Sequence, residues 1–305
     1  MIEVRRAVES DCKHYIDVYC PEAKTMPREE RLRHCGWWAD YEACVFYLHL
    51  YRRLRGEVFT ALIDGEVAGD IEVLPHDDCL LGPRAYINVL WVKENRRGMG
   101  IGTSLVLEAI RWTREKGYEY LDTIPEELSI GFYSKLGFKR LALQVKALKR
   151  PETAAASVDY EYRELGMDEA PLGMKLVAGV YRPGLFTWYS AWEDYYIPPQ
   201  IDPLAYRLTV DGRPFVALLD YYGENKASMV LWALEKPSLD LFGKAVLASE
   251  SLAVSAGVEE VFIQTWKEYE RVLTSLKYRI AGETVWLSKN LEENQVGRSR
   301  SRTIS

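Results

Sequence analysis

The sequence is poor in soft metal ligands: it has four histidines and five cysteines in 305 residues, all before residue 80, with no C-x-x-C or H-x-x-x-H pair. Without that spacing no metal site is expected. An odd number of cysteines at irregular spacings, in a chain large enough to build its own core, is expected to remain as reduced thiols. No patch of lysine and arginine stands out, and the net charge is -6. Nucleic acid is therefore not expected as a partner, because phosphate binding needs clustered cations. A run of roughly 18 apolar residues, the length that spans a bilayer, is also missing. The N-terminal MIEVRRAVESDC has acidic residues and no apolar stretch, so neither a signal peptide nor a membrane span is expected there, and the cytoplasm is the expected compartment.

What is present is ordinary globular material: 48% hydrophobic and 28% charged residues. At this length two cores are expected. Ile2–Arg6 alternates like a strand, and Ser10 opens an amphipathic run to Cys20 that reads as a capped helix. Met26–Leu54 is helical, in one piece or two broken near Gly36. Val58–Ile63 and Glu66–Val73 flank Asp64-Gly65, a hairpin signal. Tyr86–Val92 is a nearly continuous apolar strand. A helix follows from about Gly100 to Lys116, with Ser104, Glu108, Arg111 and Glu115 on one face and Leu105, Ala109 and Trp112 on another. Tyr120–Ile124 is a strand, Glu126–Leu136 a helix, and Phe138–Leu148 a last strand.

The stretch PETAAAS from Pro151 to Ser157 reads as a linker. Beyond it the plan recurs. Tyr160–Glu164 is strand-like, Asp211-Gly212 repeats the hairpin signal, and Ser228–Trp232 stands 140 residues after Asn88–Val92, as Gly257 stands 140 after Gly117. We read this as a diverged duplication. The expected division is residues 1–150, a linker at 151–158, a second copy at 159–291 and a polar tail at 292–305.

The candidate site lies where a strand gives way to Arg97-Gly98-Met99-Gly100-Ile101-Gly102-Thr103 and then to a helix. Such a junction offers unpaired amides at a positive helix end, and glycines let a phosphate approach the backbone. Neither the dinucleotide fingerprint G-x-G-x-x-G nor a Walker A lysine is present. Arg97, Gly100 and Gly102 match the glycine-rich signature of the GNAT N-acetyltransferase superfamily. Leu90-Trp91-Val92 resembles that family's fourth strand, and Gly131-Phe132-Tyr133-Ser134-Lys135-Leu136-Gly137-Phe138 resembles its later F-Y-x-K-x-G-F segment.

The resemblance implies an α/β (α+β) fold of two tandem GNAT-like domains, each a mixed, mostly antiparallel sheet flanked by helices, with the fourth and fifth strands splayed around a cofactor cleft. It implies acetyl-CoA as cosubstrate, held by Leu90, Trp91, Val92, the residues from Arg97 to Thr103, and Lys135. Tyr133 is the candidate general acid for the departing thiolate, with a core aromatic as the other reading. Asp122 and Glu72 are candidate bases, with solvated carboxylates as the other reading. Glu126 stands where many relatives carry Asn, which removes the usual contact to the pantetheine arm.

The second copy lacks this chemistry. At the same offset Arg97 falls on Pro237, Gly100 on Asp240, Gly102 on Phe242 and Tyr133 on Leu273, so one active site per chain is expected. The rings Tyr181, Phe186, Trp188, Tyr189, Trp192, Tyr195 and Tyr196 are expected to bury the interface between the copies or to wall the acceptor pocket. The expected activity is acetyl transfer to a small-molecule amine or a peptide N-terminus by direct attack in a ternary complex. The alternatives are a non-catalytic acyl-CoA sensor, or transfer of another acyl group to a thiol or peptide. Monomer and homodimer are both open.

Overall fold

The structure is a computed structural model and describes residues 1–151, 158–179, 182–193 and 201–292. The chain forms two compact units. Unit 1 comprises Met1–Asp77, Pro83–Leu141 and the chain from Trp286 onward; unit 2 comprises Asp78–Gly82 and Ala142–Val285.

Unit 1 opens with β1 (Ile2–Arg6) and the helices α1 (Cys12–Tyr19), α2 (Arg28–Cys35) and α3 (Tyr41–Arg53). The strands β2 (Glu57–Ile63), β3 (Glu66–His76) and β4 (Arg84–Val92) then form an antiparallel meander. After α4 (Ile101–Glu115), β5 (Tyr120–Thr123) runs parallel to β4, and α5 (Ile130–Lys135) leads into β6 (Lys139–Lys149). The helical stretch expected over 26–54 is two helices, broken at Gly36, whose φ of 71° suits glycine. Ser10 does not cap α1; Asp11 holds this corner, bonded to Arg5 and to the Val8 amide. The amphipathic reading of α4 holds: Leu105, Ala109 and Trp112 are buried, and Arg111 pairs outside with Glu108 and Glu115. Burying such apolar side chains stabilises the unit by about 1.5–3 kcal/mol each.

Unit 2 contains β7 (Tyr160–Glu164), β8 (Lys175–Ala178), α6 (Gly184–Glu193), β9 (Leu204–Val210), β10 (Arg213–Gly223), β11 (Lys226–Ala233), α7 (Leu239–Ser255), β12 (Glu260–Trp266) and α8 (Glu270–Ser275). The last strand of the chain is β13 (Arg279–Asn290). The repeat is in register from the end of α4: the C-terminal ends of α4 and α7, and both ends of α5 and α8, differ by 140 residues. Both hairpins turn through an Asp-Gly with positive φ, at Asp64-Gly65 and Asp211-Gly212.

Two expectations change. The compact units do not follow the linear halves at their last strands. Gln144–Lys149 of β6 pairs with β12 in unit 2, and Leu287–Asn290 of β13 pairs with β5 in unit 1, so each sheet is completed by a strand from the other half. The residues expected to form the linker lie mostly outside those described. The cysteines are also not all free: disulfides join Cys12 to Cys44 and Cys20 to Cys35, and Cys79 is a buried free thiol. Their irregular spacing hid this, because α1, α2 and α3 fold against one another and bring distant cysteines within Cα separations of 5.7 and 6.1 Å.

Candidate active site

The site begins where β4 and β5 separate. Their parallel rungs run from Ala85↔Leu121 to Ile87↔Thr123 and stop there. At the next residue β4 bulges: Glu72 faces Val89 and Val73 faces Ile87, leaving Asn88 as the extra residue. A bulge bends and twists a strand, and beyond it Val89–Val92 pairs with β3 alone among the described strands. Asn88 to Val92 are accordingly half-buried. One edge of Leu90, Trp91 and Val92 thus keeps backbone groups without a sheet partner, as a cofactor-binding strand requires.

At the outer end of this opening the chain turns into α4. Gly98 and Gly100 have φ of 82° and 86°, and a Cβ at either would meet no heavy atom within 4 Å. They are therefore glycine for backbone reasons, and the space before them is open. Gly100 caps α4 without a side-chain bond, so the amides of Ile101, Gly102 and Thr103 have no partner within the helix. Met99 is exposed, and Gly102 packs close to Phe132, 3.3 Å from the position of a Cβ. Arg97 donates from Nε to the Val92 carbonyl at 3.2 Å and lies over the Trp91 ring. These features fit a pyrophosphate at a helix start.

At the inner end, Tyr133 of α5 is buried between Phe132 and Phe138, with its hydroxyl beside Thr123 on the last β4–β5 rung. Burial pushes its phenol well above the ordinary tyrosine value, so it is protonated at neutral pH. Lys135 ends α5 in an exposed position, and Glu126 is exposed in the turn before it.

The two candidate bases are in different surroundings. Asp122 forms a buried ion pair with Arg84, which also donates to Ser288 Oγ at 2.9 Å. Desolvation raises the Asp122 carboxyl, while Arg84 opposes the rise. This is an internal structural pair and not the solvated carboxylate of the alternative reading.

Glu72 has no exposed surface and belongs to a hydrogen-bonded cluster. Trp38 Nε1 donates to Glu72 Oε1 at 3.1 Å, the Tyr51 hydroxyl donates to Oε2, and Asn88 Nδ2 donates to Oε2 at 3.0 Å. Only an acceptor such as carboxylate satisfies three donors at once.

Sequence reasoning missed the neighbours of Glu72. Asp70 lies two residues earlier on the same face of β3, is fully buried, and has the Tyr19 hydroxyl 2.7 Å from each of its oxygens. Burial first, and then the nearby Glu72 charge, raise the Asp70 carboxyl far above the ordinary range. The Tyr19 hydroxyl donates between the two oxygens, and burial beside Glu72 favours the protonated form of Asp70. The rings of Trp91, Tyr19, Trp38, Trp37 and Tyr47 stack in sequence over these acids, with centroid spacings of 5.6, 4.5, 4.5 and 4.9 Å. The period-two pattern of Asp70 and Glu72 was visible in the sequence; the rings above them were not.

The family model for "Acetyltransferase (GNAT) family" matches residues 18–138, which contain every element of this site. This part of the chain is similar to the GNAT acetyltransferase family. A human relative, N-acetyltransferase 8B, is 38% identical over 79 residues, which are 25% of this chain and 35% of that protein. The match thus spans about a third of the relative's length. Among solved structures, a GCN5-related N-acetyltransferase from Anabaena variabilis superposes with a TM-score of 0.63 at 12% identity, covering 95% of this chain and 73% of the other. A tandem GNAT protein from the clavulanic acid biosynthesis pathway superposes with a TM-score of 0.53 at 14% identity, covering 95% and 99%. At these identities the likeness is one of fold: two tandem GNAT-like domains.

The second GNAT-like domain has the same splay with different contents. β11 runs parallel to β12 from Lys226↔Glu260 to Met229↔Ile263, and beyond that point β8 occupies the gap. It pairs with Leu231–Ala233 on one side, and Ala178 pairs with Thr265 on the other. Gly179 continues the filling by donating to the Gln264 carbonyl at 2.8 Å. The start of α7 is closed as well. Ser238 caps the Leu241 amide, Asp240 adds a negative charge paired with Lys244, and Phe242 is buried against Tyr269. Leu273, at the position of Tyr133, is fully buried.

Part of the aromatic segment packs within unit 2 itself. Trp188 packs in the core of unit 2 with Trp232, Leu218 and Val230, and Tyr189 and Trp192 lean on the same cluster. Tyr181, Tyr195 and Tyr196 lie outside the described residues.

Proposed function

We propose that this chain transfers the acetyl group of acetyl-CoA to an amine, at a single site in its N-terminal GNAT domain. The observation that carries this reading is the contrast between the two splays. The β4–β5 opening is free of any described strand and bracketed by glycines and Tyr133, whereas β8 fills its counterpart.

In this reading the amides from Arg97 to Thr103 receive the pyrophosphate, with Arg97 adding charge. The free edge of Leu90–Val92 aligns the pantetheine arm, and a β4 amide near the Asn88 bulge polarises the thioester carbonyl. Lys135, exposed at the end of α5, is a further proposed contact for the cofactor. A neutral amine attacks the carbonyl carbon, the C–S bond breaks, and the Tyr133 hydroxyl gives its proton to the departing sulfur. Glu72 is the candidate base. The attacking nitrogen loses one proton, which passes by way of water to Glu72 and replaces, through solvent, the proton that Tyr133 gave to sulfur; Glu72 also orients Asn88, whose Oδ1 is buried without a partner and suited to an incoming N–H. Asp122, engaged by Arg84, supports the strand. Small-molecule amines and peptide N-termini are the proposed acceptors.

A screen of amines, polyamines and peptides for acetyl-CoA-dependent thiol release tests the reading. Release with an amine and formation of the acetyl-amide support it. Tight acetyl-CoA binding with no release for any acceptor would favour an acyl-CoA sensor, and faster release from longer acyl thioesters would change the donor.

A further inference from the structure

The ends of α1 and α2 bring four metal-ligating side chains together, at a place that no step of acyl transfer uses. Cys20 follows α1, and His34 and Cys35 end α2. The ligand atoms of these three residues all lie within 4.8 Å of one another. Glu22 stands at the edge of this group, with Oε1 3.4 Å from Cys20 Sγ and 3.6 Å from His34 Nε2.

The Cys20–Cys35 disulfide does not account for this arrangement. A sulfur in a disulfide has no proton to donate, so a carboxylate gains nothing by approaching it. His34 and Glu22, with side chains 53% and 59% exposed, pair with each other at 3.6 Å beside the sulfurs, so imidazole and carboxylate are both held at the mouth of the Cys20–Cys35 pair. Two thiolates, one imidazole and one carboxylate are, by contrast, a complete four-coordinate set for zinc. Sequence spacing gave no hint of it, because the ligands come as Cys20-x-Glu22 and His34-Cys35 and meet only through the packing of α1 and α2.

We propose that in its dithiol form this cluster binds one zinc ion through Cys20, Cys35, His34 and Glu22. Reaching that form takes two electrons and two protons from a dithiol reductant, which leaves as its own disulfide. Zinc then replaces the protons of the two thiols. The disulfide and the metal are alternative ties at one place. Both join the residue after Tyr19 to the residue preceding Gly36-Trp37-Trp38, and so both fix the stacked Tyr19 and Trp38 rings over Asp70 and Glu72. The proposal does not depend on the acyl-transfer reading.

The test uses the full chain reduced with a phosphine, which avoids a thiol reductant competing for metal. Zinc is titrated against a chromogenic chelator, and cobalt(II) is substituted to read geometry and thiolate ligation by visible absorption. One zinc per chain, with a tetrahedral thiolate spectrum on cobalt substitution, is expected. Cys20→Ser should abolish retention, and the Cys12→Ser/Cys44→Ser double variant should keep it. His34→Ala and Glu22→Gln, at exposed positions that do not endanger folding, should each weaken binding by about 10–100-fold. The proposal is overturned if the reduced wild-type chain holds no more zinc than Cys20→Ser, or if His34→Ala and Glu22→Gln both bind as wild type does.

Discussion

The Tyr133 hydroxyl lies beside the Thr123 side chain, at the rung where β4 and β5 part. Placed there, the phenol sits at the closed end of the splay, where the proposed acyl transfer would release its thiol. Tyr133→Phe preserves the ring packing between Phe132 and Phe138 and removes only the proton donor. Acetyl-CoA affinity should be unchanged while kcat falls by about 10²-fold or more, the scale of a lost general acid. Steady-state kinetics and a binding titration on the same preparation check this, and an unchanged kcat removes the role.

Gly100 tests the phosphate cradle. Alanine there must adopt a φ of 86°, which costs about 1–2 kcal/mol, although the Cβ itself meets nothing. Gly100→Ala should therefore lower stability modestly and weaken acetyl-CoA binding, because the relaxed turn no longer presents its amides. Denaturant unfolding with and without ligand separates the two effects. Normal affinity in a destabilised variant would place the pyrophosphate elsewhere.

Arg84 and Asp122 form a buried pair, so removing Arg84 leaves a carboxylate without its partner. Arg84→Met should cost about 3–5 kcal/mol, read as a lower urea midpoint. Asp122→Asn should reduce stability, and at temperatures where it stays folded kcat should be close to wild type. A large loss of kcat at undiminished stability would restore Asp122 as a base.

Asp70 gives a pH signature. Its carboxyl is raised in the folded state, chiefly by burial. Above the ordinary carboxyl value of about 3.9, the folded chain keeps a proton that the unfolded chain has released. Stability from this group is therefore greatest on the acidic side and declines as pH rises toward the raised value. Asp70→Asn keeps the shape and removes the titration. Its stability should fall less steeply with pH than that of wild type, leaving the same-sign contribution of Asp122, whose carboxyl is also raised. Urea midpoints measured across this range decide the matter, and equal slopes would show that Asp70 is ionised in the fold.

What the sequence made legible was local. Arg97 to Thr103, Leu90 to Val92 and Phe132-Tyr133 lie within one run of chain whose spacing is set by strand and helix geometry. Asp-Gly at 64–65 and 211–212 announced both hairpins for the same reason. What stayed hidden depends on contacts between distant positions. Trp38 and Tyr51 reach Glu72 across 34 and 21 residues, Ser288 reaches Arg84 across 204, and Cys44 meets Cys12 across 32. The filling of the second splay was also illegible, because Lys175–Ala178 carries an ordinary strand pattern and only its pairing with both β11 and β12 gives it meaning.

The most direct test is a calorimetric titration of the full chain with acetyl-CoA, repeated on Gly100→Ala. One site per chain in the wild type, with weakened binding in the variant, is the result predicted from an open β4–β5 splay and a second splay filled by β8. Two sites per chain, no binding, or one site indifferent to Gly100→Ala would contradict it.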